Sequence, residues 1–405
     1  MKTMNILALL CLTYALSSCQ SGKEKELDAM INRGLDVATQ QSLLMAKALE
    51  NQEGRFPKSV KNGQLETSNN HWWCSGFFPG ELWYLYENNP LPELKRYAEL
   101  YTDRVESVKT LTNTHDLGFM LYCSFGTGYR LTNNPHYLEV MKTGAESLAT
   151  RFNPTVGAIR SWDAFADVWQ YPVIIDNMMN LEFFSFVSKE TGDLKYIDMA
   201  NIHATKTLKY HFRDDYSTYH VVSYDTITGL PHSKQTHQGL DDSSAWARGQ
   251  AWGLYGFSMM ARETGKKEYL DLARRIAGFV MNHPRLPEDK VPYWDFDDPA
   301  IPDAPRDASA AAIIASALIE MSRLVNGAEE GSEGKAYFDF AVQILKSLSS
   351  PEYLAEPGTN QFFVLKHSTG NKPNNGEVDA PLTYADYYYV EALMRLKNYK
   401  KEDAQ

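Results

Sequence analysis

The feature that most constrains the fold is an alternation of two kinds of helical segment along the chain. One kind has a polar and an apolar side, with a Tyr near its start followed by Ala or Leu at helical spacing. Helices of this kind pack on one face and expose the other. The second kind is apolar on nearly every side and poor in charge, which is typical of helices buried all round. Six segments of each kind predict an inner ring of helices inside an outer ring.

The fully apolar segments are residues 76–87, 116–131, 176–191, 247–264, 307–325 and 384–396, and the amphipathic ones precede them from residue 27 onward. An open solenoid is the alternative for a helical repeat, but it needs repeats of near-constant length and polar end repeats. The repeat length here varies widely, and the last apolar segment is as apolar as the middle ones. The predicted fold is therefore all-α, a closed (α/α)6 toroid formed by a single catalytic domain over residues 26–400.

The first residues have the pattern of an export signal. Lys2 precedes an apolar run over residues 6–16 that is too short to span a bilayer as a stable helix. The run ends in Leu-Ser-Ser-Cys, which resembles a bacterial lipobox. We therefore predict a lipoprotein signal peptide over residues 1–18, acylation of Cys19 as the lipid anchor, and a tether over residues 19–25. An ordinary secretory signal is the alternative.

Composition excludes several classes of partner and site. The chain has 51 acidic and 40 basic side chains and a net charge of −11, which opposes broad contact with phosphate backbones. Nucleic acid is therefore not an expected partner. Beyond the export signal only Cys74 and Cys123 remain, and two buried thiols are favoured over one disulfide because both lie in aromatic helical stretches. Without paired Cys spacing no metal site is predicted.

Four long connections enter inner helices at their N-termini, so they meet at one end of the ring: residues 160–171, 212–242, 287–306 and 356–381. Loops of this length are usually functional. Asp116 and Asp176 begin successive inner helices at that end. Two carboxylates in a partly desolvated site separate their pKa values and leave one as an acid, which is common in sugar chemistry. N-capping is the alternative for an Asp at a helix start, and is favoured for Asp242 and Asp307.

Aromatic and basic side chains near the same end suit a sugar ligand. Several Trp residues lie in or beside the loops, and aromatic faces stack on pyranose rings, although any one of them can instead belong to the core. Arg248 lies in an inner helix that is otherwise almost free of charge. It therefore needs a buried anion, either a bound carboxylate or an Asp in a structural bridge.

Five motifs together resemble the unsaturated glucuronyl hydrolases, glycoside hydrolase family 88, over nearly the whole mature chain. They are Trp-Cys-Ser-Gly-Phe-Phe-Pro-Gly at 73–80, His-Asp-Leu-Gly-Phe at 115–119, Thr-His-Gln-Gly at 236–239, Trp-Ala-Arg-Gly-Gln-Ala-Trp-Gly at 246–253, and Asp-Tyr-Tyr-Tyr-Val-Glu-Ala at 386–392. The segment before the last motif, Ala-Pro-Leu-Thr-Tyr-Ala-Asp at 380–386, departs from the family pattern.

The resemblance implies the (α/α)6 toroid and an activity that needs no cofactor. These enzymes hydrate the C4=C5 double bond of a terminal unsaturated uronic acid, and the product opens and releases the rest of the sugar. By position, Asp176 matches the main acid/base and Asp116 the second essential carboxylate. The remaining matches are substrate contacts: His115, His220, Gln238, Arg248, and the aromatic walls Trp246, Trp252 and either Trp72 or Trp73.

Three other functions stay open. They are an unsaturated rhamnogalacturonyl hydrolase acting on pectin fragments, an inverting hydrolase on the same toroid, and a non-catalytic glycan-binding lipoprotein. The expected partner is an unsaturated oligosaccharide, with membrane attachment through the lipid anchor only, and the expected state is a monomer or weak dimer. Because lyase products must be imported before they are split, we expect a periplasmic protein anchored in the inner leaflet of the outer membrane.

Overall fold

The computed structural model describes residues 2–325 and 331–403, and their side chains except those of residues 2–21, 23 and 402–403. These ranges contain twelve α-helices: α1 (Lys2–Leu49), α2 (Phe77–Asn88), α3 (Pro92–Asp103), α4 (Thr127–Thr132), α5 (Pro135–Ala149), α6 (Leu181–Thr191), α7 (Lys195–Tyr210), α8 (Ala247–Thr264), α9 (Lys267–Met281), α10 (Ala308–Leu324), α11 (Glu333–Leu348) and α12 (Thr383–Asp403). A π-helical segment, Gly118–Gly126, leads into α4, and a 3₁₀ segment, Ile175–Asn180, leads into α6.

The even-numbered helices form the inner ring and the odd-numbered helices surround them. With their leading segments, α2, α4, α6, α8, α10 and α12 contact one another in order, and α12 returns to pack against α2. α8 and α10 are buried along nearly their whole length, because small and apolar side chains on every face leave no side suited to water. The predicted (α/α)6 toroid is confirmed. All six inner segments start within two residues of their predicted starts, and the last one, α12, continues seven residues beyond its predicted end.

Two inner elements approach closely beside the predicted site. A Cβ on Gly118 would lie 2.6 Å from the Cα of Asn180, so only glycine permits this packing. The Asn180 side-chain oxygen accepts a hydrogen bond from the Phe119 N–H at 3.1 Å. This contact brings together the starts of the second and third inner helices, which carry Asp116 and Asp176.

Seven short strands lie in the connections: β1 (Arg55–Lys61), β2 (Gln64–Asn69), β3 (Phe152–Asn153), β4 (Ala158–Ile159), β5 (Pro172–Ile174), β6 (Val221–Tyr224) and β7 (Pro231–Gln235) in the described chain. β6 and β7 form a hairpin, and β5 pairs with β6 on its other side. The β1–β2 hairpin was not predicted. Its Asn62-Gly63 turn, with φ of 53° and 75°, is a strong hairpin signal that sequence reasoning overlooked.

The two predicted thiols are found in the structure, whereas the predicted lipid anchor lies outside the described side chains. Cys74 and Cys123 are both free and buried, as favoured. The predicted lipid-anchor residue, Cys19, lies outside the residues whose side chains are described. No helix in the described part of the chain is long and apolar enough to cross a membrane.

Candidate active site

A cleft of about 650 Å³ opens at the end of the toroid where the long connections meet. Asp116 lies in its wall. Aromatic and imidazole side chains from four separate segments line much of the rest: His71, Trp72, Trp73, Trp162, Phe165, His237 and Tyr384. Rings of this kind offer flat apolar faces to a sugar while keeping polar edges available, so the cleft suits a carbohydrate.

The register of the three-stranded sheet brings three predicted site residues together. Ile174 of β5 pairs with Val221 of β6, which pairs with Gln235 of β7. Asp176 follows β5, His220 precedes β6 and Gln238 follows β7, so all three lie at the same end of the sheet. The Ile175 N–H donates to the His220 carbonyl at 3.0 Å and continues this alignment.

The hydrogen bonds of His220 define its tautomer. Its Nδ1 accepts from the backbone N–H groups of His237 at 3.1 Å and Gln238 at 3.2 Å. Nδ1 therefore carries no proton, and the proton of the neutral ring is on Nε2. Burial lowers the pKa of His220 well below its usual range, with His237 and Arg248 adding to the effect, so the ring stays neutral. Its Nε2 lies 3.7 Å from Oδ2 of Asp176, and neither atom makes a hydrogen bond to a described residue.

Asp176 has the properties of a carboxylic acid that keeps its proton near neutral pH. Burial raises its pKa to about 7; the Asp116 carboxylate adds to the rise, while Arg248 and the Trp252 indole oppose it. Its Oδ2 has no hydrogen-bond partner among the described residues. A desolvated carboxyl with a pKa near the working pH and a free oxygen is well suited to donate a proton and take one back.

The Asp116 carboxylate, unlike that of Asp176, has close contacts on both of its oxygens. Thr114 donates its hydroxyl to Oδ2 at 2.6 Å, and His115 Nε2 lies 3.2 Å from Oδ1. His115 is fully buried, and burial lowers its pKa, with the Asp116 carboxylate opposing the shift. His115 therefore lies buried beside Asp116 and does not line the cleft.

Arg248 forms the structural bridge to an Asp that the sequence analysis left open as one of two alternatives. Its side chain is 1% exposed and pairs with Asp307, itself fully buried, at 2.9 Å. It also donates to the carbonyls of Thr369 and Gly370. The guanidinium is thus engaged by protein groups and joins α8 and α10 to the C-terminal loop. Asp307 and the two carbonyls take three of the five guanidinium donors, so contact with a substrate carboxylate, expected from the resemblance, stays a prediction.

Of the two aspartates expected to cap helices, one does so. Asp307 accepts the N–H groups of Ser309 and Ala310 at the start of α10, whereas Asp242 accepts from Thr236 within the loop. The same Asp307 carboxylate therefore caps α10 and binds Arg248.

The predicted tryptophans divide into two groups. Trp72 and Trp73 both line the cleft, and Trp72 is 43% exposed. Trp246 and Trp252 are buried instead. Trp246 lies against the His220 ring, with ring centroids 4.5 Å apart, and Trp252 packs on Phe119 at 5.4 Å. Those two therefore support the site from behind and do not present a face to the cleft.

Gln238 lies in the cleft wall, as predicted, and links two loops. Its side-chain amide donates to the Gly370 carbonyl at 3.2 Å. The loop that contains Gly370 is anchored from its other side by Asp386, whose carboxylate accepts the Val364 and Leu365 N–H groups at 2.9 and 2.8 Å. In the family-like motif that begins at Asp386, this aspartate therefore holds the C-terminal loop in place.

The β1–β2 hairpin contributes cleft residues that sequence reasoning missed. Lys58 pairs with Glu66 and Glu377 and lies 5.2 Å from the Trp72 ring centroid. Lys61, at the rim, is exposed and forms no ion pair with any described residue. The hairpin thus places one uncompensated cation at the outer part of the cleft. In the described ranges, no group of three or more His, Cys, Asp or Glu side chains is placed to hold a metal ion.

The chain is similar to known proteins over most of its length. Residues 45–401 match the family model described as Glycosyl Hydrolase Family 88. An unsaturated glucuronyl hydrolase of Formosa agariphila is 50% identical over 327 residues, which is 80% of each chain.

Solved structures show the same relationship. An unsaturated glucuronyl hydrolase specific for heparin is 48% identical, with a TM-score of 0.87 over 91% of this chain and 98% of that one. A Streptococcus agalactiae unsaturated glucuronyl hydrolase mutant complexed with dGlcA-GalNAc6S is 28% identical, with a TM-score of 0.75 over 90% and 91% of the two chains. The predicted fold and glycosidase activity are confirmed: this chain belongs to glycoside hydrolase family 88, as an enzyme of the unsaturated glucuronyl hydrolase type.

Proposed function

We propose that the chain removes the terminal 4,5-unsaturated uronic acid from heparin-type disaccharides, with Asp176 as the acid and base. The observation that carries the proposal is a buried carboxyl with a free oxygen and a pKa raised to about 7, which lies 3.7 Å from the neutral His220 ring beside an aromatic cleft. A pKa near the working pH allows the same carboxyl to give a proton and then to take one back.

The proposed reaction proceeds by addition of water across the double bond. Asp176 gives its proton to C4, and the resulting carboxylate takes a proton from water as the hydroxyl adds to C5. The hemiketal then opens and the remaining sugar leaves as an alcohol, so one water is consumed and Asp176 regains its proton. In this scheme Asp116 holds ring hydroxyls and helps keep the pKa of Asp176 high, and His220 orients the Asp176 carboxyl.

The pH dependence of kcat/KM follows from this role, because kcat/KM reports the pKa values of the free enzyme. The protonated form of Asp176 is the active one, and its pKa is about 7. We therefore expect kcat/KM to be high below pH 7 and to fall roughly tenfold per pH unit above it. Initial rates at low substrate concentration from pH 5 to 9 measure this fall. In Asp116→Asn, loss of the neighbouring negative charge lowers the pKa of Asp176 and shifts the fall to lower pH. A kcat/KM that stays level through pH 8.5 would contradict the assignment.

The preference for heparin-type substrates rests on similarity. The heparin-specific neighbour is 48% identical, whereas the neighbour bound to dGlcA-GalNAc6S is 28% identical. Lys61, a rim cation that pairs with no described carboxylate, suits a sulfated leaving sugar of either type. An exposed cation attracts a sulfate over a range of about 8 Å at physiological salt.

A panel of lyase-derived disaccharides tests both the reaction and the preference. Loss of the ultraviolet absorbance of the unsaturated uronate is followed for heparin, chondroitin, hyaluronan and pectin products. We expect kcat/KM to be at least about tenfold higher for the heparin product than for the chondroitin product, a difference of about 1.4 kcal/mol. Faster turnover of chondroitin would refute the preference, and faster turnover of the pectin product would favour the rhamnogalacturonyl alternative. No turnover of any member would refute the hydratase.

We also propose a periplasmic location with a lipid anchor at Cys19. The support is the lipobox-like sequence at residues 16–19 after a short apolar run. The chain and its Cys19→Ala variant, expressed in a Gram-negative host, are compared by membrane fractionation. We expect the unaltered chain in the outer-membrane fraction and the variant released from it; equal distribution of the two would argue against the anchor.

A further inference from the structure

A second cavity, of about 360 Å³, lies in the toroid at the end away from the cleft. It is bounded by the π-helical segment, α2, α4, α6, α8 and the first half of α12. Its lining residues differ entirely from those of the cleft, so it is a separate compartment.

Packed aromatic rings separate the two compartments. Phe119 packs on Trp252 with ring centroids 5.4 Å apart, and Trp252 packs on Tyr388 at 5.5 Å. Phe77 joins the same layer, 5.3 Å from Phe119 and 5.8 Å from Tyr388. Interlocking rings at these distances leave no room for a sugar to pass. A molecule in the second cavity must therefore enter from the far face of the toroid, where Tyr129, Arg130 and Glu190 form part of the lining.

The cavity wall is rich in phenol groups, contributed by Tyr84, Tyr122, Tyr129, Tyr255, Tyr387 and Tyr388. Tyr388 is only 2% exposed, and its hydroxyl makes no hydrogen bond to a described residue. Tyr122 reaches its partner, Glu182, only at 3.5 Å. Both phenols lie in the cavity wall with hydrogen-bonding capacity to spare, so they are suited to bind a molecule in the cavity.

The cations of the lining are already engaged by protein groups. Arg395 donates to Glu320 and Tyr255, and Arg130 pairs with Glu87. The carboxylate of Glu190 accepts the Tyr129 hydroxyl at 3.0 Å, and Glu182 and Glu391 also line the cavity. An anionic ligand would find no free cation among the described lining residues and would lie near these carboxylates. The cavity therefore disfavours an anion.

The shape of the wall depends on the π-helical segment Gly118–Gly126. Of its nine residues, Gly118, Phe119, Tyr122, Cys123 and Gly126 line the cavity. π-Helical geometry is rare and occurs frequently at functional sites. This segment begins two residues after Asp116, so the same element that positions a site carboxylate also forms the wall of the second cavity.

We infer that this cavity binds an uncharged monosaccharide, with the Tyr388 hydroxyl as a hydrogen-bonding group. The volume suits a molecule of about one sugar ring, since small-molecule sites span roughly 300–1,000 Å³. Aromatic faces beside hydroxyl partners match the alternating C–H surfaces and hydroxyl groups of a sugar. This second site is independent of the reaction proposed for the cleft.

Calorimetric titration of the full chain with N-acetyl-D-glucosamine tests the inference, together with crystals soaked in the same sugar. We expect measurable binding that Tyr388→Phe weakens about fivefold to tenfold, as for loss of one hydrogen bond, and that Tyr122→Phe also weakens. Tyr389→Phe is the matched control, because the neighbouring Tyr389 hydroxyl bonds to Ser349 at 2.7 Å and does not line the cavity. D-Glucuronate is expected to bind at least about tenfold more weakly.

Electron density for the sugar in the second cavity, with the expected order of affinities, would support the inference. Four results would overturn it: no heat of binding at millimolar sugar, density only in the catalytic cleft, a cavity filled by ordered water alone, or equal weakening by Tyr388→Phe and Tyr389→Phe. Glucuronate binding as tightly as the neutral sugar would refute the stated ligand class. Thermal unfolding of each variant identifies any loss of affinity that reflects misfolding.

Discussion

Asp176→Asn is expected to lower kcat by about 10³–10⁴-fold while leaving substrate affinity within about threefold of the unaltered enzyme. The amide has the shape of the carboxyl but has no acidic proton to give to C4, and general acid–base groups contribute factors of this size. Because Asp176 is buried and its Oδ2 is unpartnered, the substitution breaks no hydrogen bond at that oxygen. Initial rates give kcat, and calorimetry with the disaccharide gives affinity.

Asp379→Asn is the matched control for that variant. Asp379 lies in the C-terminal loop, has a side chain 60% exposed and pairs only with His367. The same chemical change there is expected to leave kcat within about twofold, as is usual for exposed positions away from the chemistry. A kcat of Asp176→Asn within tenfold of the unaltered enzyme would mean that another group is the acid.

Arg248→Met is expected to lower the free energy of unfolding by about 3–5 kcal/mol, because it leaves the fully buried Asp307 carboxylate without its cation. In the same variant the Thr369 carbonyl loses its Arg248 donor, and the Gly370 carbonyl keeps the donor from Gln238. Met has a similar length and no charge, so the change tests the ion pair more than the packing. Urea unfolding followed by circular dichroism measures the loss.

The double variant Arg248→Met with Asp307→Asn separates charge from packing. Asn keeps an oxygen that accepts the Ser309 and Ala310 N–H groups at the start of α10, but it carries no buried charge. We expect it to recover part of the lost stability, since removal of both partners of a buried pair costs less than removal of one. A single variant within 1 kcal/mol of the unaltered chain would show that the bridge is not structural.

Several parts of the site were predictable because their signals are local in the chain. Asp116 and Asp176 stand at the starts of apolar helical segments, and the ends of loops that enter inner helices must meet at one end of a ring. The Asn62-Gly63 turn was equally local and was overlooked. Recognising it would have placed Lys58 and Lys61 on a hairpin, although not in the cleft.

Other residues had no local signal for their roles. Arg248 is a lone charge in an apolar helix whether its partner is a ligand or a protein carboxylate, and its partners lie 59 and 121 residues away. Trp246 and Trp252 belong to the strongest family motif, yet both are buried. Motif identity indicates that a residue belongs to the site, but it does not state whether the side chain faces the ligand or supports a neighbour.

The sequence by itself determined the ring of twelve helices and the end at which the carboxylates lie, because helical periodicity and apolar surface are properties of neighbouring residues. Only the tertiary structure decided the chemistry available to those groups. The Nε2 proton of His220, the pKa of Asp176 and the pairing of Arg248 depend on burial and on partners distant in the chain. Those partners come together only when the toroid closes and water is excluded.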